Sequence, residues 1–325
     1  MHTMATPGIW AAFFIVLTLA LAVDFLVLRS AGAHRVSFRE AVLWSLAWVA
    51  VALAFNAGLW WWSDLHVGRE MANQIALEFL TGYLIEKSLA VDNIFVFLMI
   101  FNYFSVPAEQ RQRALMLGVL GAIVLRAILI LIGAALVARF HWILYLFGAF
   151  LLLTGFKMLF AANQEPDIDH NPMLGWMRRH LRVTRDFRGS AITVIEDGRR
   201  WFTPLFVVLA LIAVTDVIFA VDSIPAVFAV TLDPFIVLTS NVFAVLGLRA
   251  MFFLLAGMAD RFHLLGHGLA LVLLFIGTKM LVSGFYKIPI GIALGVVAVV
   301  LVGSVVASLV FPPKDGGDEA GKPPV

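Results

Sequence analysis

Two stretches, LIEKSLAVDNIFVF at residues 84–97 and VTDVIFAVDSIPAV at residues 214–227, place acidic side chains inside long apolar segments. In each stretch a carboxylate stands six residues ahead of the aspartate of an Ala-Val-Asp triplet: Glu86 before Asp92, and Asp216 before Asp222. A charged side chain at the centre of a bilayer costs at least about 2.5–3.5 kcal/mol. Four carboxylates at matched positions therefore indicate a functional site within a membrane domain.

The composition is that of an integral membrane protein. Of the 325 residues 62% are hydrophobic and 14% are charged, whereas a soluble domain has about 45–50% and about 25%. The chain has no cysteine, which excludes disulfides, thiolate metal ligands and Fe–S clusters. It contains no nucleophile–base pair, cofactor fingerprint or feature that favours nucleic-acid binding, so we expect neither an enzyme nor a resident cofactor.

Hydrophobic windows predict an all-α fold of nine membrane-spanning helices, near residues 8–29, 41–62, 75–101, 114–137, 141–161, 202–230, 235–258, 263–284 and 288–311. Most Lys and Arg of the loops fall on one side if the N-terminus is outside, so the positive-inside rule predicts an N-out, C-in topology. The basic stretch MLGWMRRHLRVTRDF, residues 173–187, is either an amphipathic helix on anionic lipid or a loop that only sets orientation.

The acidic motif is one of several duplicated features. In both halves of the chain the same blocks follow it in the same order: Leu125-Arg126-Ala127 and Leu248-Arg249-Ala250, Arg139-Phe140-His141 and Arg261-Phe262-His263, Gly155-x-Lys157-Met158-Leu159 and Gly277-x-Lys279-Met280-Leu281. The repeat unit is three spans, so the two units are predicted to lie upside down relative to each other. Inverted repeats with polar sites at their interface are typical of secondary transporters.

The repeats divide the chain into six segments. We predict peripheral spans at 1–74, transport repeat 1 at 75–161, a basic cytoplasmic loop at 162–201, transport repeat 2 at 202–285, span 9 at 286–311 and a disordered tail at 312–325. Span 1 also carries Ala22-Val23-Asp24, a partial copy of the motif, so Asp24 is a further candidate to line the same cavity.

Six residues along a helix correspond to a rise of about 9 Å and a rotation of about 120°. Glu86 and Asp92 therefore share one ion only if their helix unwinds or if each pairs with the opposite repeat. Pro225 has no N–H and frees the carbonyl of Val221, which favours an interruption of span 6 beside Asp222.

The oxygen donors in reach favour a hard or borderline divalent cation such as Mg²⁺, Ca²⁺ or Mn²⁺. Besides the four acids and the Val221 carbonyl, they are Asn93, Ser223 and, more weakly, Asn241 in span 7. The alternative is that the acids only form salt bridges with intramembrane cations, among them Lys87, Arg126 and Arg249. We expect the two arginines to pair with the acids in either case.

The motifs EKSLAVDNIFVF and TDVIFAVDSIPAVFAV, with LGLRAMFF and IGTKML downstream, resemble the TerC/Alx family of bacterial inner-membrane proteins. The resemblance implies a multi-pass protein of the bacterial inner membrane that exports manganese(II), with Glu86, Asp92, Asp216 and Asp222 as the transport site. It leaves the coupling ion open; proton counterflow is one hypothesis. The alternatives are a transporter of another cation or solute, or a membrane scaffold linked to tellurium resistance. The oligomeric state is not predicted.

Overall fold

The computed structural model describes Thr3 and residues 5–31, 37–161, 172–196, 198–256, 264–286 and 288–311. This part of the chain is helical apart from one hairpin. The elements are α1 (Pro7–Ala31), α2 (Phe38–Val67), α3 (Arg69–Tyr103), α4 (Ala108–Arg139), α5 (Ile143–Ala161), α6 (Pro172–His180), β1 (Thr193–Glu196), β2 (Arg199–Phe202), α7 (Pro204–Phe228), α8 (Pro234–Val245), α9 (Leu248–Ala256), α10 (Leu265–Val282) and α11 (Ile290–Val310).

The helices correspond to the nine predicted spans, except that one predicted span consists of two helices. Among the described residues, eight helical segments are long and apolar enough to cross a membrane, and α8 and α9 together count as one of them. The ninth long helix is α3, with 35 residues. Its Glu86, Lys87 and Asp92 make it too charged to qualify on composition alone. The chain is an all-α, multi-pass membrane protein, and predicted span 7 consists of two helices.

α3 and α8 form the centre of the bundle. α3 packs against α2, α7, α8, α9 and α11, and α4 packs against α7 and α8. Every residue of α8 is buried. By contrast, large apolar side chains of the outer helices are exposed, among them Leu19, Leu153 and Val299. A polar group on α3 or α8 is therefore surrounded by protein, whereas α1, α5 and α11 present apolar surface to lipid.

α5 and α10 pack together along their length through reciprocal glycine contacts. A Cβ at Gly155 would lie 3.1 Å from the Ala270 carbonyl oxygen, and one at Gly277 would lie 2.9 Å from the Gly148 carbonyl oxygen. Adding 122 to 155 gives 277, and adding 122 to 148 gives 270, so each contact joins the equivalents of the other. The two contacts are thus the same contact made from each side, at positions that the sequence repeat makes equivalent.

This close approach predicts opposite signs for two glycine-to-alanine substitutions. Gly277→Ala should destabilise the protein by about 1–3 kcal/mol because the methyl group meets backbone atoms of α5 that cannot move aside. Gly295→Ala, in α11 with open space around it, should be neutral or stabilising because alanine favours a helix by about 0.5–1 kcal/mol. Thermal unfolding of the purified variants in detergent measures both. Equal melting temperatures would contradict the packing of α5 on α10.

The basic loop is partly folded onto the bundle. α6 ends at His180, so the predicted amphipathic helix covers only the first part of residues 173–187. Its Leu174 and Met177 are buried against protein rather than facing lipid, and α6 packs on α7. β1 and β2 form an antiparallel hairpin with Glu196 opposite Arg199. The predicted disordered tail at 312–325 and the block Arg261-Phe262-His263 lie outside the described residues.

Candidate functional site

The first acids of the two motifs meet at a single arginine. Glu86 of α3 and Asp216 of α7 both form ion pairs with Arg126 of α4. The Arg126 Nη2 lies 3.0 Å from Asp216 Oδ1, and Nε donates to the same oxygen at 3.3 Å. Glu86, Arg126 and Asp216 are 0%, 0% and 2% exposed. The predicted pairing of Arg126 with the motif acids is confirmed, and equivalent acids of the two halves lie together.

The residues that follow these acids by seven positions lie on the same helix faces. Seven residues complete two turns to within about 20°, so Asn93 shares a face of α3 with Glu86, and Ser223 shares a face of α7 with Asp216. Asn93 and Ser223 are each 2% exposed, and the Ser223 hydroxyl has no hydrogen-bond partner among the described residues. The central polar faces are therefore Glu86 with Asn93 and Asp216 with Ser223.

Asp222, the aspartate of the second Ala-Val-Asp triplet, is directed away from the face of Asp216 and Ser223. Asp222 is partly buried and accepts a hydrogen bond from the Thr154 hydroxyl of α5 at 3.3 Å. Asp92 belongs to α3, but its side chain lies outside the described part of the structure. No group of three or more His, Cys, Asp or Glu side chains that would hold a metal occurs among the described residues. Glu86 and Asp216 form the carboxylate pair, and Asp222 contacts a different helix.

The predicted interruption of span 6 is wrong. α7 runs without a break from Pro204 to Phe228, and α3 is continuous through both of its motif acids. Pro225 lies in the last turn of α7, where its missing N–H removes only one helical hydrogen bond, and the Val221 side chain is 47% exposed. Unwinding is unnecessary because the acids pair across the repeats instead.

The broken helix is span 7. α8 ends at Val245, and α9 begins at Leu248 after Gly247, whose φ is +82°. A Cβ at Gly247 would lie 2.7 Å from the Trp48 ring of α2, so the position requires glycine for both its backbone and its space. The Lys87 Nζ donates to the Ala244 and Leu246 carbonyls at 3.1 and 3.3 Å. Lys87 therefore binds the end of α8 rather than a motif acid.

The second repeated arginine has a different partner from the first. Arg249 of α9 lies 2.6 Å from Asp24 of α1. Both side chains are partly buried, at 13% and 19% exposure. Among the described side chains Arg249 pairs with Asp24 and not with Glu86, Asp216 or Asp222, and its predicted pairing with a motif acid stays untested for Asp92. Asp24, the third Ala-Val-Asp aspartate, does face the interior. Asn241 lies in the buried α8, and neither its amide oxygen nor its nitrogen has a partner among the described residues.

Three contributors to this region were missed by sequence reasoning. Thr154 gives no signal, because a threonine on an apolar helix commonly bonds only its own backbone. Tyr83, 3% exposed with an unpaired hydroxyl, precedes Glu86 by one turn on α3. Gly247 did carry a signal: it stands two residues before Arg249, where the first repeat has Val124 two residues before Arg126.

The central cluster carries an unbalanced charge. Two carboxylates and one guanidinium leave one negative charge without a partner when all three are ionised. Such a charge is costly in a buried site, so a further cation beside the two carboxylates would stabilise the cluster. Its donors are oxygen atoms, which suit hard and borderline cations.

Comparison with known proteins agrees with this membrane architecture. The family model described as "Integral membrane protein TerC family" matches residues 71–315. The chain is 56% identical over 302 residues to Alx of Escherichia coli O6:H1, a membrane-bound protein whose name proposes a role in redox modulation, with 93% of this chain and 94% of that protein covered. It is 46% identical over 308 residues to an uncharacterized membrane protein of Myxococcus xanthus, with 95% and 94% covered. A membrane protein of Rickettsia felis is 37% identical over 301 residues, with 93% and 97% covered. No solved structure matches the chain. The chain belongs to the TerC family of integral membrane proteins.

Proposed function

We propose that this protein is a secondary transporter that exports manganese(II) across the bacterial inner membrane through the Glu86–Arg126–Asp216 cluster. The observation that carries the proposal is the burial of two equivalent acids, one from each half of the chain, on a single shared arginine. Ionisable groups within membrane spans are rare, and they commonly mark substrate or ion pathways. The site is central because it joins α3 and α7, the first helix of each proposed repeat.

The packing supports an inverted-repeat architecture. α3 packs on α8 and α4 packs on α7, which are the same pairing with the repeats exchanged. The reciprocal contacts of Gly155 and Gly277 follow the same exchange. Both relations are expected of a two-fold axis in the membrane plane, the arrangement in which transporters of this kind alternate access to a midplane site.

Metal binding at this cluster requires that the metal ion replace the Arg126 guanidinium as the cation beside the carboxylates. In the absence of metal, Arg126 neutralises part of the acid pair. In the proposed loaded state, Mn²⁺ takes oxygen ligands from Glu86 and Asp216, and Arg126 moves aside. Asn93 and Ser223 stand two turns, about 10 Å, further along the unbroken α3 and α7, so they are not ligands of the same ion. Ligand carboxylates must be deprotonated, so protons compete with the metal and proton counterflow is a consistent coupling hypothesis.

The choice of manganese and the outward direction rest on the resemblance to the TerC/Alx family. The relative's name proposes redox modulation. This chain has no cysteine, so such a role would act without thiols of its own. Transport of a redox-active metal such as manganese connects the proposed export with the redox modulation that the relative's name proposes.

The direct test is ⁵⁴Mn²⁺ flux into proteoliposomes, comparing wild type with Glu86→Gln and Asp216→Asn. Loss of one charged ligand costs on the order of 1.5–3 kcal/mol, so we expect each substitution to reduce uptake at low Mn²⁺ by roughly 10- to 100-fold. Glu70→Gln is the matched control, because Glu70 lies exposed at the start of the same helix. If the wild type transports Mn²⁺ and both site variants transport it equally fast, the transport site lies elsewhere.

Two alternatives are distinguished in the same assay. If Ca²⁺ rather than Mn²⁺ is carried, ⁴⁵Ca²⁺ flux will exceed ⁵⁴Mn²⁺ flux and will depend on the same two acids. If the protein is a scaffold, neither ion will move, and metal tolerance in cells will depend instead on loop arginines such as Arg199 and Arg200, which are exposed on the hairpin.

A further inference from the structure

The C-terminal end of α8 lies deep inside the protein. All of α8 is buried. Leu246 and Gly247 turn the chain into α9, so the helix does not continue far enough to supply N–H donors to the last carbonyls of α8. The end of a helix carries a partial negative charge that attracts cations. In transporters, the ends of broken helices and their freed carbonyls bind sodium ions or protons.

In this chain the cation at the helix end belongs to the protein. The Lys87 ammonium is within hydrogen-bond distance of two backbone carbonyls, those of Ala244 and Leu246. Arg249, the other cation close in sequence to the break, is occupied by Asp24. Two carbonyl oxygens that converge on one point charge form the start of a cation coordination shell.

Unpaired polar groups lie one helical turn from this point on each of the two helices. Tyr83 precedes Lys87 by four residues on α3, and Asn241 precedes Ala244 by three on α8, so each lies on the same side of its helix as the contact. Both side chains are at least nine-tenths buried, and neither the Tyr83 hydroxyl nor the Asn241 amide has a partner among the described residues. These buried polar groups therefore stand about one turn from the contact on each helix.

The ammonium and the break occur together in only one half of the chain. The position equivalent to Lys87 in the second motif is Val217, and the position equivalent to Gly247 in the first repeat is Val124 in the unbroken α4. Where the helix is continuous the cation is absent. This correspondence indicates that Lys87 is present because of the break.

We propose that the end of α8 is a monovalent-cation site of the sodium class, and that this chain fills it with the Lys87 ammonium in place of a free ion. Residue 87 therefore decides whether the broken helix depends on sodium. The inference goes beyond the proposed manganese transport and does not depend on which substrate is carried.

The test is thermal unfolding of Lys87→Ala in detergent, purified in NaCl and then exchanged into choline chloride of equal ionic strength. Removal of the ammonium should leave the site for a free ion, so we expect the melting temperature of the variant to fall in choline and to recover by about 3–6 °C as sodium saturates the site. Wild type should melt at the same temperature in both salts. Lys279→Ala is the matched control, because Lys279 donates to a single carbonyl, Ala229, and should show no sodium dependence.

Lys87→Ser is the second variant, because its hydroxyl offers a further oxygen to a bound ion. A folded Lys87→Ala or Lys87→Ser protein that melts identically in sodium and choline would overturn the proposal. So would failure of both variants to fold in sodium, since a free ion would then be unable to replace the ammonium. Manganese flux of the wild type is measured separately, and its absence would reject the proposed function without changing the result at residue 87.

Discussion

Replacing Arg126 with leucine is expected to lower the free energy of unfolding by about 3–5 kcal/mol in metal-free buffer, because it leaves two buried carboxylates without a cation. The same variant should regain much of that stability when Mn²⁺ is added, because the metal then takes the place of the guanidinium. The measurement is a melting curve in detergent with EDTA or with increasing Mn²⁺. Wild type should respond less, since its arginine competes with the metal.

Two controls separate this effect from general damage to the core. Arg249→Leu removes the equivalent arginine of the other repeat, whose partner is Asp24 rather than the acid pair, so we expect destabilisation without recovery on addition of Mn²⁺. In the triple variant Glu86→Gln/Arg126→Leu/Asp216→Asn all three charges are gone, so stability should return without metal. If Arg126→Leu melted like wild type in EDTA, the acid pair would not need its arginine and the cluster would be misassigned.

The response to sodium and to Mn²⁺ should distinguish the Arg126 variant from the Lys87 variant. The Arg126 variant exposes two carboxylates, which favour a divalent cation, whereas the Lys87 variant exposes neutral carbonyls, which favour a monovalent one. We therefore expect Mn²⁺ to stabilise the first variant and not the second, and sodium to do the reverse. A single ion that stabilised both would mean that the two substitutions act through one shared cavity.

The acid pair was predictable because its evidence is local and repeated. The matched positions of Glu86 and Asp216 in two apolar stretches required buried partners, and a repeated arginine was available in each half. Which arginine serves them was not predictable: Arg126 takes both acids while Arg249 pairs with Asp24, which is 225 residues away in the chain. The sequence repeat indicates that either arginine is able to pair with a buried acid. Tertiary packing decides that Arg126 pairs with Glu86 and Asp216.

The break lies at Gly247 and not at Pro225, because the position of each residue in its helix decides the effect on the backbone. Pro225 removes one hydrogen bond near the end of α7, where few remain to be lost. Gly247 allows a left-handed backbone in mid-chain, and this conformation is fixed by Trp48 of α2, nearly two hundred residues earlier. That contact is not visible in the local sequence. The replacement of Val124 by Gly247 between the repeats was the available signal.

Gly247→Ala is accordingly expected to be among the most damaging single-methyl substitutions in the described chain. A non-glycine residue in the left-handed region costs roughly 1–2 kcal/mol, and the Cβ would lie within 2.7–2.8 Å of three Trp48 atoms, adding an overpacking cost of about 1–3 kcal/mol. The expected destabilisation is the sum of these two terms, about 2–5 kcal/mol by the same principles. Chemical or thermal unfolding in detergent measures it.

The two contributions can be separated, because the steric contact is made with one side chain, Trp48. Gly247→Ala combined with Trp48→Ala should recover the steric part but not the backbone part. If Gly247→Ala cost as much in the Trp48→Ala background as in the wild type, the contact between α2 and the break would be contradicted. If Gly247→Ala is more damaging when Trp48 is present, the geometry at the end of α8 is held from two sides, by Trp48 against the turn and by Lys87 on its carbonyls. A helix end fixed in this way keeps its carbonyl oxygens at constant positions, and constant positions are what a cation site requires.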